Sequence, residues 1–118
     1  MNSQTSLPTA WLVSSGRVLA SANVANTSRA RRRGLIGERP VSTVLVLDHC
    51  RWIHTIGVKS ALDIAYLNAE STVIKIQHLV PMRVPLPVAK SCMVIEASAG
   101  SFDRWGLHIG DVIEVRQT

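Results

Sequence analysis

Short runs of β-branched and other apolar residues, each ended by turn-forming residues, recur along nearly the whole chain. Such runs are typical of strands, because β-branched side chains pack well on a pleated sheet. Many short strands at regular spacing predict a mainly β fold, either a small antiparallel β-sandwich or a partly closed barrel. The predicted strands lie at 10–13, 17–24, 41–47, 52–56, 62–67, 72–79, 92–97 and 112–115.

Turn chemistry connects several of these strands into hairpins. Ser14-Ser15-Gly16 separates the first two runs, and Asn68-Ala69-Glu70-Ser71 separates 62–67 from 72–79. Both segments are rich in the residues that tight turns favour. Pro81, Pro85 and Pro87 cannot donate to a strand ladder, so residues 80–90 are predicted to form a loop.

One segment has helical character. Asn26-Thr27-Ser28 supplies N-capping residues, and the residues that follow are rich in Arg and Ala, which lose little side-chain freedom in a helix. A short helix is therefore predicted near residues 27–36, with Gly37 as its stop. A further helical turn is predicted at 102–105.

The length of 118 residues suits a single domain with one core. Hydrophobic residues make up 47% of the chain, but only five are aromatic, so Val, Ile, Leu and Ala must build most of that core. Residues 1–9 are polar, contain Pro8, and are predicted to be a flexible tail. Residues 10–118 are predicted to be one β-rich domain.

The net charge of +5 comes from one part of the chain. Residues 1–39 hold six arginines against the single acid Glu38, and the rest of the chain sums to zero. A solvated helix face accounts for such a run most simply. No aromatic residues are interleaved with it, which disfavours single-stranded nucleic acid as a partner. This basic patch consists of Arg29, Arg32, Arg33 and Arg39, with Arg31 between them.

The first residues lack the basic and apolar regions of a secretory signal, and no apolar stretch is long enough to span a membrane. The only two cysteines, Cys50 and Cys92, are far apart in sequence and form no Cys-x-x-Cys pattern. Reduced, mostly buried thiols are therefore expected. These features predict a cytoplasmic protein without membrane association.

Three segments, in this order, resemble the domain-of-unknown-function 192 family of small prokaryotic proteins. They are ANTSRARRRGLIG at 25–37, WIHTIGVKSALDIAYLN at 52–68, and VIEASAG at 94–100 with GLHIGDVIEV at 106–115. The chain departs from the common family pattern at Ala30, where an acidic residue often stands, and at His54-Thr55, where many members carry Met-Lys-Asn. The resemblance implies a mainly β fold and no established reaction.

The second of these segments holds the candidate site, because Trp52, His54, Thr55 and Asp63 lie within twelve positions. A histidine near a carboxylate can transfer protons or hold a small polar ligand. The structural alternative is that His54 bonds to the backbone and Asp63 pairs with an arginine. Arg31, if the helix lies on the sheet, is expected to meet Asp63 or Asp111, or to receive an anionic ligand. The predicted ligand-binding residues are Trp52, His54, Thr55, Asp63, Arg31 and Asp111.

The other chemistries find little support. The spacing of His49, Cys50 and His54 is not a recurrent zinc pattern, so no metal is predicted. The glycines at 34 and 37 and at 106 and 110 do not match phosphate-binding or dinucleotide spacings, so no cofactor is predicted. Gly110-Asp111 is predicted to be a tight turn.

Two classes of function remain open. The preferred one is a non-catalytic binding module for a small polar or anionic ligand, which could be glycan-like, or for a protein partner. The alternative is a small enzyme in which His54 and Asp63 form the acid–base pair. The first is preferred because the sequence offers no nucleophile motif, metal cage or cofactor loop. A third and weaker hypothesis is binding of nucleic acid or an acidic partner through the arginine helix. The sequence does not indicate an oligomeric state.

Overall fold

The computed structural model describes residues 8–25 and 44–118, which form seven strands and a short helix. The helix predicted near 27–36 and the basic patch lie outside these residues. The elements are β1 (Thr9–Ser14), β2 (Arg17–Ala25), β3 (Leu45–Asp48), β4 (Leu62–Leu67), β5 (Val73–Leu79), β6 (Met93–Ser98), α1 (Ser101–Trp105) and β7 (Glu114–Gln117).

The seven strands form one sheet in the order β5-β4-β6-β3-β2-β1-β7, which confirms the mainly β prediction. Adjacent strands are antiparallel except β2 and β3, which run parallel. The antiparallel prediction did not include this pair. Parallel neighbours need a crossover of about a dozen residues or more, and the 19 residues between Ala25 and Leu45 are enough for one.

The sheet curls until its two outermost strands meet at one end. Thr72, just before β5, forms a bridge with Val112, just before β7. Next to it, the Val73 amide donates to the carbonyl of Asp111 at 2.8 Å, and the Ile113 amide donates to that of Ser71 at 3.0 Å. The architecture is therefore an open barrel joined at one end, consistent with the predicted partly closed form.

Both faces of the central strands are buried. All six residues of β4 are buried, because its side chains alternate between two apolar clusters. The first core contains the α1 residue Phe102 together with Ala10, Leu12, Val24, Val46, Ala65, Leu67, Ile95 and Ile113. The second core contains Ala25, Leu45, Leu47, Cys50, Ile53, Leu62, Ile64, Tyr66 and Val94.

Two predicted hairpins are present. β1 and β2 are joined by Ser15 and Gly16, whose φ angles of 52° and 75° are both positive, as a two-residue type I′ turn requires. β4 and β5 form the second hairpin. The helical turn predicted at 102–105 is α1, and the proline-containing segment after β5 is a loop, as predicted.

The strand predicted at 52–56 is wrong, since these residues form part of the loop between β3 and β4. The reason is that the backbone of Thr55 hydrogen-bonds to the loop after β5 and not to a neighbouring strand. The apolar pattern there reflects packing on the second core, to which Ile53 belongs. Pro8 and Thr9, which were predicted to belong to the tail, are held by the sheet, because β1 begins at Thr9 and the Pro8 carbonyl accepts a hydrogen bond from the Val24 amide. Residues 1–7 of the predicted tail lie outside the described residues.

Candidate functional site

Two loops cover the second core and lie against each other: residues 49–61, after β3, and residues 80–92, after β5. Thr55 joins them. Its buried hydroxyl donates to the Val80 carbonyl at 2.8 Å and accepts from the Arg83 amide at 2.7 Å. Its amide donates to the Arg83 carbonyl, and its carbonyl accepts from Met82. Four hydrogen bonds from one residue therefore fix the relative position of the loops.

A second set of bonds joins the other end of the same loops. The Val88 amide donates to the Arg51 carbonyl at 2.8 Å, and the Ser91 hydroxyl donates to the Cys50 carbonyl at 2.8 Å. The Cys50 amide in turn donates to the carbonyl of Cys92. The loops are thus bonded to each other along their length.

Trp52 and His54 lie in the middle of the first loop. Their ring centroids are 5.4 Å apart, and the Trp52 indole N–H donates to the Pro85 carbonyl at 2.7 Å. His54 Nδ1 accepts a hydrogen bond from the Ile56 amide at 3.3 Å. His54 therefore makes the local backbone contact that the structural alternative predicted, while Trp52 ties the proline-rich loop to its neighbour.

The outer side of these loops is unusually apolar. Six of the ten large hydrophobic side chains that are exposed in the described part of the chain lie here, and Leu86 is 81% exposed. A concentration of exposed apolar residues on one part of a protein commonly marks an interaction site. We call this the two-loop surface, and define it by Trp52, Ile56, Val80, Met82, Val84 and Leu86.

The same loops are positively charged. They hold four of the eight Lys and Arg residues of the described chain and none of its seven Asp and Glu residues. The basic residues are Arg51, Lys59, Arg83 and Lys90. Charges of one sign produce a field that attracts partners of the opposite sign.

Asp63 has a different set of partners. Its Oδ1 lies 2.6 Å from Nδ1 of His78, and its Oδ2 accepts hydrogen bonds from the amides of Gly100 and Phe102, each at 3.0 Å. The buried carboxylate thus caps the start of α1, where backbone amides lack helical partners. None of these bonds is with His54, and a joint catalytic role for His54 and Asp63 stays a prediction.

Asp111 and the arginines account for the rest of the predicted site. The Asp111 carboxylate accepts a hydrogen bond from the His108 amide at 2.8 Å and so stabilises the predicted turn, in which Gly110 has a φ of 99°. Arg31 lies outside the described residues, as do the basic-patch residues Arg29, Arg32, Arg33 and Arg39. The meeting of Arg31 with the other site residues also stays a prediction.

Three buried or hydrogen-bonded polar residues were missed by sequence reasoning: His78, Tyr66 and Glu96. The Tyr66 hydroxyl donates to Gln77 Oε1 at 2.8 Å in the second core. Burial, together with smaller contributions from the nearby Cys50 and Glu96, raises the pKa of Tyr66 to about 12. Glu96 is only 1% exposed. A single Glu in an apolar strand predicts a solvent-facing position, so the sequence pattern does not indicate that Glu96 is buried.

A surface depression of about 670 Å³ lies beside the two-loop surface, lined by residues of the segments 49–51, 68–70 and 89–92. Within residues 8–25 and 44–118, no group of three or more His, Cys, Asp or Glu side chains is placed to hold a metal ion. No helix in that part of the chain has the length and apolar character to cross a membrane.

A mainly β sheet curled into an open barrel, with paired loops over one face, defines the class of the fold. The sequence profile of the domain-of-unknown-function 192 family, described as an uncharacterized ACR, matches residues 3–115. The chain belongs to this family. No curated protein matches it.

Two solved structures share the fold. One is a candidate transcription regulator from Sinorhizobium meliloti 1021, with a TM-score of 0.77 and 20% identity, covering 96% of this chain and 98% of that one. The other is a protein of unknown function from Novosphingobium aromaticivorans DSM 12444, with a TM-score of 0.67 and 21% identity, covering 91% and 83%. At this identity the likeness shows the fold alone.

Proposed function

We propose that the protein is a non-catalytic binding module that holds a protein partner on the two-loop surface. The observation that carries this proposal is the concentration of exposed apolar side chains on two loops that are bonded to each other. The free energy falls when a partner covers an apolar patch that is in contact with water. Cys50 and Cys92 are not joined by a disulfide bond, which supports a reducing, cytoplasmic setting.

The hydrogen bonds between the loops favour a binding surface over a set of exposed apolar residues that have no function. A surface that is ordered beforehand loses little conformational entropy when a partner docks, so more of the apolar contact appears as affinity. Thr55 and Trp52, two of the predicted site residues, serve in this proposal as positioning residues. The hydroxyl of the first and the indole N–H of the second hold the loop that carries Met82, Val84 and Leu86.

The experiment compares two valine substitutions at nearly equal exposure. Val84 on the two-loop surface is 60% exposed, and Val18 on β2 is 56% exposed. Both are changed to Asp, and each variant is used to capture partners from an extract of the expressing cells. A protein that is retained by the wild type and by Val18→Asp, but at least about tenfold more weakly by Val84→Asp, supports the proposal.

Equal retention by both variants would overturn it. A second arm tests sedimentation with vesicles that contain anionic lipid, because a basic apolar surface also suits a membrane. Sedimentation of the wild type that Val84→Asp abolishes would replace the protein partner by a lipid surface. Circular dichroism of each variant verifies that it is folded.

One observation favours a second candidate, a small acid–base enzyme. The Nδ1 of His78 lies 2.6 Å from a buried carboxylate, which leaves Nε2 as the second ring nitrogen of a 62% exposed side chain. A carboxylate that orients an imidazole in this way is a common catalytic arrangement. In this candidate His78 takes the role that the sequence analysis gave to His54.

The two candidates differ in what His78→Gln does. An enzyme would lose turnover on a series of activated esters and amides, whereas the matched change at the exposed His108 would leave turnover unaltered. A binding module would show no turnover above buffer in either variant. Partner capture by His78→Gln would remain at the wild-type level.

A further inference from the structure

The depression beside the two-loop surface has a fixed shape. The Ser91 hydroxyl, which is buried, donates to the Cys50 carbonyl at 2.8 Å. The Cys92 amide donates to the Leu67 carbonyl at 2.7 Å, and the Glu70 amide donates to Oδ1 of Asn68 at 3.0 Å. The segments 49–51 and 89–92 are therefore bonded to each other, 89–92 is also bonded to the sheet at Leu67, and 68–70 is closed by a bond within itself. Its volume of about 670 Å³ falls within the range of sites that hold small groups.

The charges that line the depression favour an anion. Arg51 and Lys90 both line it, and no ion pair joins either of them to another residue among those described. Glu70 is the one acidic lining residue. His49 adds little, because its ring lies 3.7 Å from the carboxylate of Asp48. Two available cations against one acid leave a positive balance.

Arg51 connects the depression to the two-loop surface along the chain. This residue lines the depression, immediately precedes Trp52, and has its carbonyl bonded to the Val88 amide of the second loop. A partner that contacts Trp52 therefore meets, at the next residue of the chain, a cation that lines the depression. Planar guanidinium groups bind carboxylates through paired hydrogen bonds, which adds specificity to the charge.

We infer that this depression receives an acidic side chain of the protein partner, so that the partner presents a carboxylate next to its apolar residues. The identity of the occupant rests on the proposed function. The positive potential of the depression does not depend on that function. Arg51 and Lys90 bind the acid, and Glu70 restricts the recess to a single one.

Cys92 allows the potential to be measured without a partner, because its exposed thiol lies in the depression. The measurement is the ratio of its alkylation rates by iodoacetate, which is anionic, and iodoacetamide, which is neutral. This ratio cancels the accessibility of the thiol and its thiolate fraction. Buried Cys50 is followed separately by mass spectrometry of the digested protein.

The expected ratio for Cys92 exceeds that of a small blocked cysteine, and falls towards it as salt is added. One unit charge at roughly 10 Å in water changes such a ratio about twofold. The double variant Arg51→Gln, Lys90→Gln should therefore lower it about fourfold, and Glu70→Gln should raise it about twofold. The control is Lys59→Gln, Arg83→Gln, which removes the same charge from the same loops outside the lining.

Equal ratios in the two double variants would overturn the inference, whatever the two-loop surface binds. The second arm uses the partner captured by the wild type. Its affinity should fall at least about tenfold in Arg51→Gln, Lys90→Gln, and the loss should shrink at high salt. Unchanged affinity there, with affinity lost in Val84→Asp, overturns the acidic subsite and leaves the proposed function standing. Unchanged affinity in Val84→Asp as well overturns both.

Discussion

At the scale of single residues, the buried hydroxyl of Thr55 is the contact that most strongly determines how the loops lie. It satisfies the carbonyl of Val80 and the amide of Arg83 at once. A buried polar group that loses its partner costs free energy comparable to a hydrogen bond or more. The side chain therefore positions the two loops, and a role for it in binding a ligand stays a prediction.

The substitution Thr55→Val keeps the shape of this side chain and removes its hydroxyl. We expect the free energy of unfolding to fall by about 1–3 kcal/mol, because two backbone groups lose their partner. Thr118→Val is the control, since its hydroxyl bonds to Thr9 at an exposed site and its loss should cost under about 0.5 kcal/mol. Urea unfolding measures both, and equal costs would contradict the role of Thr55.

Tyr66 predicts how stability depends on pH in the alkaline range. Its pKa is about 12 in the folded chain and about 10 when exposed, so the folded state keeps a proton that the unfolded state loses. Stability supported by this proton is complete below pH 10 and declines as pH rises towards 12, by at most about 1.4 kcal/mol per pH unit.

Because Tyr66 is the only tyrosine, absorbance at 295 nm follows its ionisation alone. The folded protein should ionise about two pH units above the urea-unfolded chain, in line with its burial. Tyr66→Phe should lose the hydrogen bond to Gln77 and also remove this part of the alkaline decline. Ionisation of the folded chain near pH 10 would show that the hydroxyl is exposed.

At the scale of elements, the two loops are joined by backbone hydrogen bonds although neither contains a strand. The amides of Thr55, Met82 and Val88 all donate across the loop pair. We expect hydrogen exchange at these positions to be slowed at least about a hundredfold relative to an unstructured peptide. The control is Leu86, whose amide has no hydrogen bond to another described residue and should exchange quickly. Fast exchange at all four would mean that the loops are not preformed.

Much of the element structure could be predicted from sequence, because hairpins depend on local signals. Ser15-Gly16 identifies a tight turn by residue type, and alternating apolar residues identify β4 and β5. The segment 52–56 could not be assigned correctly, because its hydrogen-bonding partners lie about 28 residues away, at positions such as Arg83. A strand and a loop packed on the core have the same apolar pattern.

The register of β4 and β5 explains why His78 was missed. A regular ladder continued from the observed Leu67–Val73 pair would put Asp63 opposite Gln77. The structure has an irregularity between Tyr66 and Leu67, and this shift pairs Asp63 with His78. One extra residue in a strand pair is a bulge, which sequence periodicity does not reveal. The partner of a candidate acid therefore depended on a single-residue offset.

At the scale of the whole molecule, the two cores support different parts of the fold. The first core joins the sheet to α1, while the second core supports the loops whose outer side is exposed. Of the predicted site residues, Trp52, His54 and Thr55 lie in this loop pair, and Asp63 and Asp111 stabilise α1 and a turn. The sequence singled out one of the two loops of the proposed surface, whereas the Pro-containing loop joins it only through long-range contacts.

The proposal that a protein partner occupies the two-loop surface is tested by site-specific photo-crosslinking in living cells. A photoreactive residue is placed at Leu86 on this surface, or at Ile109, which is 64% exposed elsewhere on the molecule. A partner bound to this surface should give a discrete crosslinked protein from position 86 that is absent from position 109 and disappears in the Val84→Asp background. Crosslinking from position 109 alone, or none from position 86, would contradict it.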